Sequence, residues 1–248
     1  MASISETGHA NNVANFESLI ISATAFGASY NPSKDSLKLP ALQALLSASK
    51  ESLNAVNMVQ STYSNAVSAR ESAFEPFSKL ITRVNNALKA SDTSVQVDES
   101  AQTIVRKLQG RRASAKITDE EKAALEAEGK EVHQISVAQL SYDNRLENLD
   151  KLVMLLESVP YYKPNEEDLK VASLKALLTD LRAKNNDVVT ASIQLSNARI
   201  ARNELLYKPL TGLVDIAFDF KVYIKSIFGA TSPQYKQISK LKFVNKKD

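Results

Sequence analysis

The chain has 248 residues, with six glycines, seven prolines, two histidines and neither cysteine nor tryptophan. That excludes disulfide frameworks, thiol nucleophiles and thiolate metal sites, leaves little for histidine chemistry, and leans away from a turn-rich β fold. Lys and Arg number 31 against 28 Asp and Glu, and the basic excess sits at one end: residues 221–248 hold seven lysines and a single acid, Asp248.

Residues 1–11 are polar and carry no Lys or Arg. They read as a disordered N-terminus containing His9, not as a signal peptide. The apolar run from Leu19 to Ala28 covers about ten residues, half of what a bilayer crossing needs. A soluble, cytoplasmic protein is therefore expected. A helix from Asn12 to Ala28 leads into a Tyr30-Asn31-Pro32 turn. From Leu39, positions 39, 42, 46, 49, 53, 56, 60, 63, 67, 70 and 74 follow helical spacing, with Ser49, Gln60 and Arg70 as polar interruptions. This predicts one helix of roughly 54 Å ending near Phe74. Pro76 breaks it. A helix over 77–90, an exposed loop over Ser91–Ser100 and a short basic helix over 98–109 follow.

Residues 111–144 read as a helical connector. Thr118 and Glu121 make a capping box, and apolar residues from Val132 to Leu156 predict a helix over about 130–158. After Tyr162-Lys163-Pro164, a second long helix occupies 171–206, with the acids of Asn165–Asp168 placed at its start, where the helix dipole favours them. Pro209 breaks it. An amphipathic, aromatic helix over 210–228 ends at Gly229, a short helix covers 232–242, and 244–248 is a basic tail.

The two series match each other. Tyr30 to Leu46 aligns with Tyr162 to Leu178 at an offset of 132, and Ser64-Asn65-Ala66 with Arg70 aligns with Ser196-Asn197-Ala198 with Arg202. One inserted residue then aligns Pro76 with Pro209 and Lys107-Leu108 with Lys240-Leu241. The halves 12–110 and 145–243 read as tandem copies. The expected fold is all-α: an elongated antiparallel helical bundle built from two tandem pseudo-symmetric units.

Catalytic patterns are missing. There is no Gly-rich phosphate loop, G-x-S-x-G or H-E-x-x-H, and His133 has no partner at helical spacing. No catalytic residue, cofactor or metal is assigned. The repeated Ser-Asn-Ala-x-x-Ala-Arg block defines a candidate polar seam of Asn65, Arg70, Asn197 and Arg202. An arginine on an apolar stripe needs a partner. It either helps to form a paired anion site or reaches past the seam to Glu71 or Glu204. Candidate anion or nucleic-acid contacts are Arg106, Lys107, Arg111 and Arg112 at the end of the first unit, and Lys236, Lys240, Lys242, Lys246 and Lys247 at the end of the second; solvated ends are the plainer reading. Arg111-Arg112-Ala-Ser114 has the form of a basophilic kinase site. The stripe of 214–228 suits either a bundle core or a membrane interface, with the core preferred.

The Tyr-x-Pro turn, the Ser-Asn-Ala-x-x-Ala-Arg block and the ending from Phe228 to Phe243 resemble a family of uncharacterised bacterial all-helical proteins. The resemblance covers nearly the whole chain and implies a bacterial origin, with no activity attached. The expected function is a non-enzymatic structural or interaction bundle whose partner is another protein or a second copy. Nucleic-acid or anionic-surface binding through the basic ends is the alternative, and a membrane-active role, which is disfavoured, the third.

Overall fold

The computed structural model describes residues 4–111 and 140–245. The Thr118 capping box, most of the connector, His133, Arg112, Ser114, Lys246 and Lys247 lie outside the described residues.

Among the described residues every regular element is helical, and the protein is all-α. The α-helices are α1 (Ile4–Ala25), α2 (Leu39–Phe74), α3 (Phe77–Lys89), α4 (Val95–Gln109), α5 (Tyr142–Glu157), α6 (Val171–Tyr207), α7 (Leu213–Phe228) and α8 (Pro233–Ser239). The two long helices, 36 and 37 residues, fall where the spacing places them. α1 begins at Ile4, inside the stretch 1–11 read as disordered, and His9 is fully buried in it.

Three other boundaries differ from the sequence reading, each for a local reason. The polar segment Ser91–Ser100 is mostly helix, because Ser94 caps α4 by accepting from the Val97 N–H at 3.4 Å. The helix predicted over 130–158 does not run through 140–141. Leu140 is non-helical and Ser141 starts α5 as its cap, accepting from the Asn144 N–H at 3.3 Å. The acids at 165–168 do not open α6 either. Glu167–Leu169 forms a separate 3-10 turn before it, as Asp35–Leu37 does before α2. Gly229 ends α7 at φ 85°, as read.

The chain divides into two compact units. Unit 1 is residues 1–64 with 191–248, and unit 2 is 65–190. Each therefore combines one part of either sequence half rather than following 12–110 and 145–243. In unit 1, α7 packs on α1, α8 and the Asp35–Leu37 turn. Its apolar residues recur at helical spacing (Leu213, Ile216, Ala217, Phe220, Ile224), and they bury against Phe16, Leu19 and Leu206. In unit 2, α4 packs on α3 and α5, and the Glu167–Leu169 turn packs on α3. Leu149, Leu152 and Leu156 of α5 share that core with Ile81, Leu88, Leu108 and Leu174. Each such side chain contributes about 1.5–3 kcal/mol through removal from water.

α4 ends in a Schellman motif. Gly110 takes φ 66°, its N–H donates to Lys107 O at 3.2 Å, and the Arg111 N–H donates to Arg106 O at 2.9 Å. No helix among the described residues is long and apolar enough to cross a membrane.

Candidate functional site

Arg70 and Arg202 belong to different units, and each has its own surroundings. In unit 2, Arg70 is half-buried near the end of α2. Its Nη1 donates to Asn185 Oδ1 at 3.0 Å, and its guanidinium carbon lies 3.9 Å from the centroid of the Tyr142 ring. Asn185 in turn donates through Nδ2 to Asp143 Oδ1 at 2.8 Å. The cation is thus held by a neutral amide that relays to a carboxylate, and by an aromatic face, rather than by Glu71. Tyr142 is fixed by an edge-on contact with Phe74 at 4.9 Å between centroids. Desolvation of the charge is offset by the amide and the ring quadrupole together.

In unit 1, Arg202 is 1% exposed, among the largest fully buried side chains of the chain. Its Nε and Nη2 donate to Asn203 Oδ1 at 3.0 and 2.7 Å. Asn65 and Asn197 are both exposed, so they are not part of either arginine's surroundings.

Nearby in the same unit lies an open groove of about 400 Å³, lined by Tyr63, Ser192, Leu195, Ser196, Arg199 and Ile200. Arg199 Nη2 donates to Gln60 Oε1 at 3.0 Å. Ile200, which lines the groove, is 62% exposed, and α6 also exposes Ile193, at 56%. They lie seven residues apart, two turns along one face of the helix.

A buried polar cluster that the sequence reading missed joins α1 to the end of α6. His9 Nδ1 lies 2.6 Å from Tyr207 Oη, and Asn12 Nδ2 donates to the same oxygen at 3.2 Å. Asn12 also makes a two-way pair with Val244, donating to its carbonyl at 2.8 Å and accepting from its N–H at 3.0 Å. The signal was present. His9 and Asn12 continue backwards, at helical spacing, the stripe of Val13, Phe16, Ile20 and Ala23.

The basic candidates separate. In unit 2, Arg106 and Lys107 are half-buried in the last turn of α4, where cations favour the helix C-terminus, and Arg111 is exposed just past it. In unit 1, Lys236, Lys240 and Lys242 are exposed. Lys221 is drawn inward, donating to Leu241 O, with its Nζ 5.1 Å from the centroid of Phe243. Burial holds its ammonium below the usual lysine range. Phe243 also meets Phe218 edge-on at 6.4 Å. The core reading of α7 holds for Phe220 and Ile224, but Phe218 and Val222 face outward.

Among the described residues no three His, Asp or Glu side chains group as metal ligands do. Comparisons of the chain with protein-family models, with curated proteins and with solved structures find no match.

Proposed function

We propose that this chain is a non-enzymatic helical interaction protein, and that a second copy of itself is a partner. The observation that carries the reading is the unit 1 groove. It joins small residues, Ser192 and Ser196, that admit a close helix, to the exposed Ile200, and Ile193 lies exposed two turns away on the same face of α6. Apolar side chains so placed on a helix face gain most by burial against another helix.

The finer architecture belongs to the same reading: two tandem copies of one pseudo-symmetric unit. It is supported by the aligned sequence blocks and by one bond found in both. Tyr30 Oη donates to Leu37 O, and Tyr162 Oη donates to Leu169 O, each across seven residues. A duplicated chain offers related surfaces, which suits symmetric association.

Sedimentation velocity over a range of concentrations tests the proposal. The native chain should show concentration-dependent association, and an Ile193→Asp/Ile200→Asp variant should remain monomeric with unchanged helix content. A native chain that is monomeric at every concentration would overturn self-association.

A second reading is favoured by the exposed Lys236, Lys240 and Lys242: unit 1 binds a polyanionic surface or nucleic acid through this end. Binding that falls steeply with added salt supports it, and no binding at low salt removes it.

A further inference from the structure

We infer that the outer face of α7, with α8 and the segment after it, docks on an anionic lipid surface, with Phe218 and Val222 entering the headgroup boundary and the surrounding lysines meeting lipid phosphates and carboxylates. This rests on the second reading above and names its ligand.

Three features of unit 1 point to this occupant. First, the charge is one-sided. Between residues 221 and 245 there are five lysines and no acid. Lys225, Lys236, Lys240 and Lys242 are exposed, and none enters an ion pair among the described residues. The acids that α7 does carry are engaged elsewhere. Asp215 accepts from the Leu210 N–H at 2.8 Å, and Asp219 pairs with Lys34.

Second, the centre of this face is apolar where water would favour polar residues. Phe218 is 46% exposed and Val222 68%, one turn apart on the side opposite the buried Phe220. The core of unit 1 is filled by Leu213, Ile216, Ala217 and Ile224; Val222 adds nothing to it, and Phe218 touches it only through the edge of Phe243.

Third, the face is built, not frayed. The segment after α8 is tied to α1, by Asn15 Nδ2 donating to Lys242 O at 2.8 Å and by the Asn12–Val244 pair, and to α7 by Lys221. Lys225 Nζ lies 6.0 Å from the Tyr235 ring centroid. The lysines are thereby held on α7 and on elements packed against it, with Lys225 one turn from Val222 and Lys242 next to the Phe243 that meets Phe218. A basic rim with an apolar centre is the arrangement by which a folded surface sits in a bilayer interface. Nucleic acid would satisfy the lysines, but it offers the aliphatic Val222 nothing to enter.

Co-sedimentation of the full chain with vesicles tests this. The lipids are phosphatidylcholine alone or phosphatidylcholine and phosphatidylserine in equal parts, with duplex DNA as a separate arm. The expected result is binding to the mixed vesicles and not to the neutral ones. Lys236→Glu/Lys240→Glu/Lys242→Glu should weaken it on the order of a hundredfold. Phe218→Ser/Val222→Ser should weaken it about tenfold, and Val222→Ser alone about threefold while leaving the thermal melt in place. Vesicle binding that the Phe218→Ser/Val222→Ser variant leaves unchanged overturns the proposal. So does DNA binding without vesicle binding, which leaves the second reading standing. Binding to neither ligand at low salt overturns both.

Discussion

Tyr162 donates its phenol to the Leu169 carbonyl at 2.8 Å, and this bond closes the turn that feeds α6. Tyr30 does the same for Leu37 ahead of α2. Both rings are buried. Removing the hydroxyl leaves a carbonyl without its donor, so Tyr162→Phe should cost about 1–2 kcal/mol. Tyr30→Phe should cost the same. Urea denaturation of the two variants checks this, and a zero change in either would show that the bond is replaced by water.

The same phenols make the fold sensitive to alkali. Burial first, then the carboxylates of Asp168 and Glu166, push Tyr162 up to about 12. Burial, then Tyr223, raises Tyr30 as well. A folded value above the unfolded one favours the neutral group in the native state. That stability is whole below about pH 10, the ordinary tyrosine value, and is lost as pH rises through the folded value. The urea midpoint should therefore fall between about pH 10 and 12, and Tyr162→Phe should flatten the fall. A variant with the native slope would mean that Tyr162 does not contribute to it.

Arg70 and Arg202 occupy matching places in the aligned sequences but differ in depth. Arg202 is enclosed, whereas Arg70 is half-buried, held by Asn185 and Tyr142. Arg202→Ala opens a large void and removes two donors to Asn203 Oδ1, so it should cost about 3–5 kcal/mol. Arg70→Ala loses an amide bond and a cation–ring contact that solvent partly replaces, about 1–2 kcal/mol. Arg70→Lys should recover little of that, because the planar guanidinium is what stacks on Tyr142. Chemical denaturation orders the three variants. Equal losses for Arg202→Ala and Arg70→Ala would contradict the difference in burial.

The long helices were legible because one signal, the recurrence of apolar residues every three or four positions, persists over ten turns of α2 and stops at a proline. Short boundaries were not, since there a single serine decides. Ser94 sits in a stretch that reads as a loop and Ser141 inside a predicted helix, and both act as caps in the fold. The candidate site divides in the same way. That Arg70 and Arg202 lie on the inward stripes could be read from spacing. Asn65 precedes Arg70 by five residues, about 140° away around the helix, and so faces solvent. The partners that decide Arg70's chemistry, Asn185 and Tyr142, come from distant segments and carry no local mark.

The turn before α7 holds two opposite errors that substitution can separate. Leu210 sits at φ 68° and is 80% exposed, so it carries backbone strain without burial in return. Leu210→Gly should raise stability by about 0.5–1 kcal/mol. Gly212 has an ordinary φ, but a Cβ there would lie 2.6 Å from Lys208 N and 2.7 Å from Lys208 O, both backbone atoms. Gly212→Ala should therefore cost several times more than Gly110→Ala. At Gly110 the near neighbour is only the tip of Leu140, at 2.9 Å, and the positive φ sets a loss of about 1 kcal/mol. Thermal melts rank the three. A Gly212→Ala variant as stable as Gly110→Ala would mean that the turn relaxes freely.

The first turns of α1 provide the last test, because polar composition suggested that they do nothing. His9 is fully buried with Nδ1 2.6 Å from Tyr207 Oη, and Asn12 reaches the same oxygen. Removing residues 1–11 takes away His9 and shortens α1 to begin at Asn12, the residue that pairs with Val244 at both its N–H and its carbonyl. A buried hydrogen-bonded side chain is lost and the helix frays at its new start, so the truncation should cost about 2–4 kcal/mol. His9→Ala alone should account for about half of this, since it opens a void and removes one of the contacts to Tyr207 Oη, Asn12 keeping the other, while leaving the helix. Hydrogen exchange should locate the effect: faster exchange at the Val244 amide, whose acceptor is Asn12 Oδ1, in the truncated chain. If truncation leaves both the urea midpoint and that amide unchanged, the contacts of His9 add nothing to the stability of unit 1.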